Sequence, residues 1–173
     1  MNKKTKFKIG IVAVIYMLIL YIWLGSTFGG CAKDFYKEYK GVAYRNSDMS
    51  VIHTTVILEG QLANPYIGKS EFRGTITYED TVYETSFKID NERGVMIWDH
   101  DLFSDSHAEH LGYFFSDDNL DQITIALMEE KDNHKYGWRP VDGLTFSGNA
   151  SGRTEAVEIT RKLMAKSMYG EYM

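Results

Sequence analysis

The stretch Phe72-Arg73-Gly74-Thr75-Ile76-Thr77-Tyr78-Glu79-Asp80-Thr81-Val82-Tyr83-Glu84-Thr85-Ser86-Phe87-Lys88-Ile89 sets the fold class. Phe72, Gly74, Ile76 and Tyr78 alternate with Arg73, Thr75, Thr77 and Glu79, and the return arm places Tyr83, Thr85, Phe87 and Ile89 inward. A period of two with one apolar face is the pattern of a half-buried strand, and Glu79-Asp80-Thr81 supplies the turn, so the stretch reads as a β-hairpin.

Outward from the hairpin the same period recurs. His53, Thr55, Ile57 and Glu59 alternate with Thr54, Val56, Leu58 and Gly60, and Asn64-Pro65 marks a turn. Downstream, Val95–Trp98, Gly112–Ser116, Gln122–Met128, Tyr136–Arg139 and Leu144–Gly148 read as further strands, with a charged loop at Glu129–Lys135. Seven or eight short strands with short connections predict a mainly β (α+β) domain, an antiparallel meander forming a sandwich or an open barrel. The period then changes: Ala156, Ile159, Thr160, Leu163 and Met164 share one face of a helix from about Thr154 to Met168, with Glu155 and Lys162 placed to suit its dipole. Upstream, Ala32–Lys40 carries Phe35 and Tyr39 at i,i+4 and reads as a short helical stalk, followed by a polar linker at Gly41–Ser50.

The N-terminus predicts an address. Ile9–Gly30 runs 22 residues without a charge, about 33 Å as a helix against a hydrocarbon core of roughly 30 Å. Lys3, Lys4, Lys6 and Lys8 precede it, so the positive-inside rule keeps the N-terminus cytoplasmic and the rest outside a single-pass anchor. A cleaved signal peptide and a lipoprotein are the alternatives, the latter because the only cysteine, Cys31, follows Gly29-Gly30 and is a lipidation candidate. The organisation expected is therefore residues 1–31 as basic tip and anchor or signal segment, 32–50 as stalk and linker, and 51–173 as a β-rich extracytoplasmic domain ending in a helix.

Beyond Cys31 stand 24 acidic and 15 basic residues, a net of −9, which argues against nucleic acid as a partner. With no second cysteine the domain has no disulfide, so packing must hold it. The segments Phe72-Arg73-Gly74-Thr75-Ile76, Gly112-Tyr113-Phe114-Phe115-Ser116-Asp117-Asp118 and Ser147-Gly148-Asn149-Ala150, with the helix opening at Glu155-Ala156-Val157, resemble small uncharacterised exported or membrane-anchored proteins of Gram-positive bacteria. The resemblance spans roughly residues 50–168 and implies a cell-envelope setting, with no catalytic motif to transfer.

The usual enzyme signatures are absent: there is no P-loop, GxGxxG, GxSxG, HExxH or CxxC. Three groups of residues have chemistry to offer. Asp99, His100, Asp101, Asp105, His107, Glu109 and His110 gather three imidazoles and four carboxylates, ligand types that suit Zn²⁺ or another transition metal, although the same residues make a solvated acidic loop. Asp117, Asn119 and Asp121 have the opening spacing of a calcium loop, but Gln122 and Met128 stand where glycine and glutamate belong, and such residues also build hairpin turns through Asx hydrogen bonds. Aromatics are the third, since 19 of 24 lie beyond residue 31, with Trp98 and Trp138 as candidates for a ligand-stacking face. The expectation is a membrane-tethered extracytoplasmic binding or interaction module with a protein or envelope-polymer partner and no resident cofactor. The alternative is a metal-dependent envelope enzyme activating water at residues 99–110.

Overall fold

The computed structural model describes residues 12, 14–21, 32–65, 68–90, 94–98, 110–131, 135–165 and 167. Residues 14–21 are helical (α1), and the apolar side chains from Val14 to Tyr21 are exposed. Among the described residues no helix is long and apolar enough to cross a membrane.

The domain is an eight-stranded antiparallel sheet built from β1 (Ala32–Arg45), β2 (Val51–Ala63), β3 (Glu71–Tyr78), β4 (Thr81–Lys88), β5 (Val95–Trp98), β6 (His110–Ser116), β7 (Ile123–Leu127) and β10 (Leu144–Gly148). A two-stranded excursion, β8 (Glu129–Lys131) and β9 (Lys135–Gly137), lies between β7 and β10. The order β4-β3-β2-β1-β10-β7-β6-β5 is a meander interrupted only by that excursion, with β10 returning to pair with β1. The two edge strands, β4 and β5, approach each other without a hydrogen-bonded ladder, so the sheet is a nearly closed barrel.

The hairpin of residues 72–89 forms as expected, Tyr78 pairing with Thr81 around a two-residue turn. Glu79, the first turn residue, has φ 53°, the left-handed geometry that matches hairpin twist. Phe72, Ile76, Tyr83 and Phe87 are buried inside the barrel. With them lie Val56 and Leu58 from β2, Phe114 from β6, Ile123 and Ile125 from β7 and Phe146 from β10. Curvature comes from two cross-strand glycine pairs, Gly60 with Gly74 and Gly41 with Gly148. A Cβ on Gly60 would stand 2.2 Å from the Arg73 carbonyl oxygen, so the backbones come closer than any side chain permits. Where Trp98 faces His110, Leu111 is an extra residue and Gly112 takes φ 143°, a β-bulge at the end of β5.

The C-terminal helix α2 (Arg153–Met164) buries all five residues expected of its apolar face, Ala156, Ile159, Thr160, Leu163 and Met164. Its N-terminus is held by Glu155, which accepts hydrogen bonds from the Ser151 amide and hydroxyl at 2.8 and 2.7 Å. The helix lies on the outer face of the barrel, over Val42 and Tyr44 of β1, Phe115 of β6 and Ala126 of β7.

Three expectations are corrected. Residues 32–40 are not a helical stalk but the first part of β1, paired with β2 from Ala32↔Ala63 to Tyr44↔Val51. Phe35 and Tyr39 are i,i+4, which fits one helix face but equally one strand face, and the strand wins because it buries Tyr39 completely in the barrel. Gly41–Ser50 is not all linker: Val42, Ala43 and Tyr44 are buried strand residues, leaving only 46–50 as the turn. Glu129–Lys135 is not simply a loop, since Glu129–Lys131 pairs with β9.

Candidate functional site at one mouth of the barrel

Because the strands alternate in direction, the β1–β2 and β3–β4 turns, the β5–β6 connection and the β8–β9 excursion all leave from the same end of the barrel. Chain connectivity thus gathers here one end of each of the eight strands, far apart in sequence. Arg45, the last residue of β1, donates from Nη1 to Glu129 Oε2 at 2.7 Å and from Nη2 to Glu129 Oε1, a bidentate pair, and also from Nη1 to the Asp142 carbonyl at 2.8 Å. The Leu144 amide donates to Glu129 at 3.4 Å, so this one carboxylate ties the excursion to both β1 and β10. Arg153 reaches from α2 to the Arg45 carbonyl at 3.2 Å, with its guanidinium 5.7 Å from the centre of the Tyr44 ring.

The electrostatics follow from these partners. The hydrogen bonds from Arg45 hold the Glu129 carboxyl below its ordinary range, and Glu129 in turn raises the Arg45 guanidinium. Tyr78, at the end of β3, has its phenol pushed far above the usual tyrosine range, first by burial and then by the negative charge of Glu79, with smaller contributions from Tyr83 and Glu129. Tyr78 therefore keeps its proton well above neutral pH. Ile52, 53% exposed, comes from the adjoining part of β2. A neutral phenol, a compensated ion pair and an accessible apolar side chain form a rim suited to binding.

Of the residues singled out from sequence, His110 opens β6 and sets its ring 5.5 Å from that of Tyr136, edge to face. Asp99, His100, Asp101, Asp105, His107 and Glu109 lie outside the described residues, as does Cys31. Among the described residues no group of three or more His, Cys, Asp or Glu is arranged to hold a metal ion. Asp117 turns its Oδ1 to the backbone amides of Asp121 and Gln122 at 2.7 and 3.2 Å, while Asp121 pairs with Lys37 at 2.7 Å. Those two carboxylates serve the β6–β7 turn and its tie to β1, in which Leu120 takes φ 56°. Trp138 does not sit on an exposed face: it is 9% exposed, in the cluster beneath α2, with its indole N–H donating to Thr145 at 3.1 Å. Trp98 ends β5 at the mouth. Arg45, Glu129 and Tyr78 were not singled out, because nothing local in the sequence marks residues that meet only when the barrel closes. Neither a protein-family model, nor a curated protein, nor a solved structure matches this chain.

Proposed function

We propose that this chain is a membrane-tethered binding module of the bacterial cell envelope, with its barrel outside the cell and its partner a protein or envelope polymer. The observation that carries the reading is the contrast between a barrel filled by its own side chains and a polar mouth. Tyr39, Phe72, Phe114 and Phe146 are at most 1% exposed in the interior, whereas Tyr78, Arg45 and Glu129 converge at the end where the turns gather. A packed barrel is a scaffold, and a scaffold presents its rim and edges to partners. The uncharged run Ile9–Gly30 ends two residues before β1 begins, which supports a tether with almost no spacer.

The test is topological. Asp118 is exposed in the β6–β7 turn; in full-length protein carrying Cys31→Ser and Asp118→Cys, a membrane-impermeant maleimide should label intact cells as fully as lysed ones. Protection until lysis would place the barrel inside the cell and end this reading. Intact mass of the native protein separates the fates of Cys31, with an unmodified full-length chain expected for a retained anchor.

A further inference from the structure

The β1–β2 ribbon is longer than the strands flanking it. β3 pairs with β2 only from Val56↔Tyr78 onward, so Val51–Thr55 is bound to β1 on one side and, among the described residues, to no strand on the other. At the opposite end of the ribbon, β10 pairs with β1 only over Gly41–Arg45, leaving the start of β1 as a second overhang. The overhangs differ in chemistry. The start of β1 carries Lys33, Asp34, Lys37 and Glu38, and edge strand β4 carries Glu84 and Lys88, the charges by which sheet edges resist pairing. From Met49 to Leu58 there is no Asp, Glu, Lys or Arg, no proline and no glycine, and Val51, Ile52, Thr54, Thr55, Val56 and Ile57 are β-branched. Met49 and Ile52 are 81% and 53% exposed and Val51 is 39% exposed. Among the described residues, this edge has backbone groups aimed outward, strand-forming side chains and none of the usual protection.

We propose that Val51–Thr55 is a strand-addition site that receives an extended, uncharged segment of another polypeptide. Main-chain hydrogen bonds to the edge supply affinity, and alternate side chains supply selectivity. Five strand residues span about 17 Å, and the incoming segment places one set of side chains beside Ile52 and Thr54, above the mouth, and the other beside Val51, His53 and Thr55. Apolar or β-branched residues fit the first set, and proline is excluded wherever the segment must donate an N–H.

The choice of another chain over a second copy rests on the tether proposed above. Two copies joined antiparallel at this edge are related by a twofold axis perpendicular to β2, which sends their β1 starts in opposite directions. Parallel pairing staggers its hydrogen bonds, so two identical edges cannot exchange equivalent bonds about a twofold. Copies held in one membrane satisfy neither arrangement, whereas an extended segment from a different chain needs no symmetry.

The experiment uses full-length protein in detergent micelles and a phage-displayed random-peptide library as probe. Enriched peptides should be proline-free with alternating β-branched or apolar residues. Their binding should weaken about tenfold or more in Ile52→Lys and in His53→Lys, which put a charge on the edge, and should be unchanged in Asp34→Lys on the other overhang. Both altered side chains are exposed, and an unshifted melting temperature shows that the fold is kept. Absence of enrichment, or peptides that bind the lysine variants equally well, overturns the site. A doubled mass by light scattering that returns to the monomer value in Ile52→Lys overturns the choice of partner, because the edge is then filled by a second copy. Peptide binding is read on solubilised protein, so failed Asp118→Cys labelling in cells counts against the tether and not against the edge.

Discussion

The two faces of the sheet are held by different means. Inside, the barrel is filled by aromatic and aliphatic side chains, Phe72 lying 5.9 Å from Phe35 and 5.3 Å from Phe87 between ring centres. Outside, under α2, the apolar contacts surround a knot of hydroxyls: Ser147 donates to the Ala156 carbonyl at 2.9 Å and meets Thr160 at 2.7 Å and Thr124 at 3.0 Å. Tyr44 also hydrogen-bonds Thr160. The interior tolerates little but apolar volume, because its geometry is already imposed by the strand ladders. The helix has no ladder to locate it, and directional bonds set its position on a surface that apolar contact alone would leave free to slide.

Breaking the inner face should cost most. Phe72→Ala removes a fully buried ring from the interior and should lower unfolding free energy by about 3–5 kcal/mol in urea melts. On the outer face, Leu163→Ala should cost about 2–4 kcal/mol, since Leu163 is 6% exposed at the edge of the interface, while Lys162→Ala, an exposed neighbour bonded to Gln122, should cost well under 1 kcal/mol. Equal, mild effects of these two would mean that α2 is not held on the sheet. Thr160→Val keeps the shape but removes a hydroxyl from the knot, and should cost about 1–2 kcal/mol with loss of amide-exchange protection confined to α2.

A polar group deep in the interior sharpens the contrast. Tyr39 is fully buried, and its hydroxyl donates to the Leu120 carbonyl at 2.6 Å, pinning the left-handed turn residue. Tyr39→Phe should cost about 1 kcal/mol. Burial, aided by Asp117 and Asp121, raises the Tyr39 phenol above its unfolded value, so its protonated form stabilises the fold below the ordinary tyrosine range. That contribution should be lost as pH rises above about 10, and alkaline melts of the wild type and Tyr39→Phe should converge there.

The smallest effect belongs to the rim. Glu129 is about one-third exposed, so Glu129→Gln should cost no more than about 1 kcal/mol at neutral pH. Its carboxyl is depressed in the fold, so the stabilisation is present above the unfolded glutamate value and disappears as pH falls through the lower folded one. Acid melts should therefore bring the wild type down to the variant, with no convergence on the alkaline side.

Much of the architecture was legible because each readable element buries one face. The period of two in residues 72–89 and the helical period of Ala156, Ile159, Thr160, Leu163 and Met164 match the buried sets in the structure. Segments whose pattern fits two periods were not legible, and Phe35 with Tyr39 is the clearest case. Local propensity favours a turn of helix there, and pairing with β2 overrides it.

The candidate site was less legible still. Asp117, Asn119, Asp121 and Trp138 were conspicuous by residue type, yet the described geometry gives Asp117 and Asp121 to a turn and Trp138 to the core. Arg45 and Glu129, separated by 84 positions, carried no signal at all.

By itself the sequence determined the antiparallel β class, the central hairpin and the amphipathic helix, since one buried face writes a period into the residues that supply it. Only the tertiary structure decided that residues 32–45 are a strand, that β10 closes onto β1, and that two glycine pairs let the sheet curl. It also decided which polar residues share a mouth and where, among the described residues, an uncharged edge has no strand beside it. Those outcomes depend on strand order, register and length mismatch between partners distant in the chain, and no local pattern encodes them.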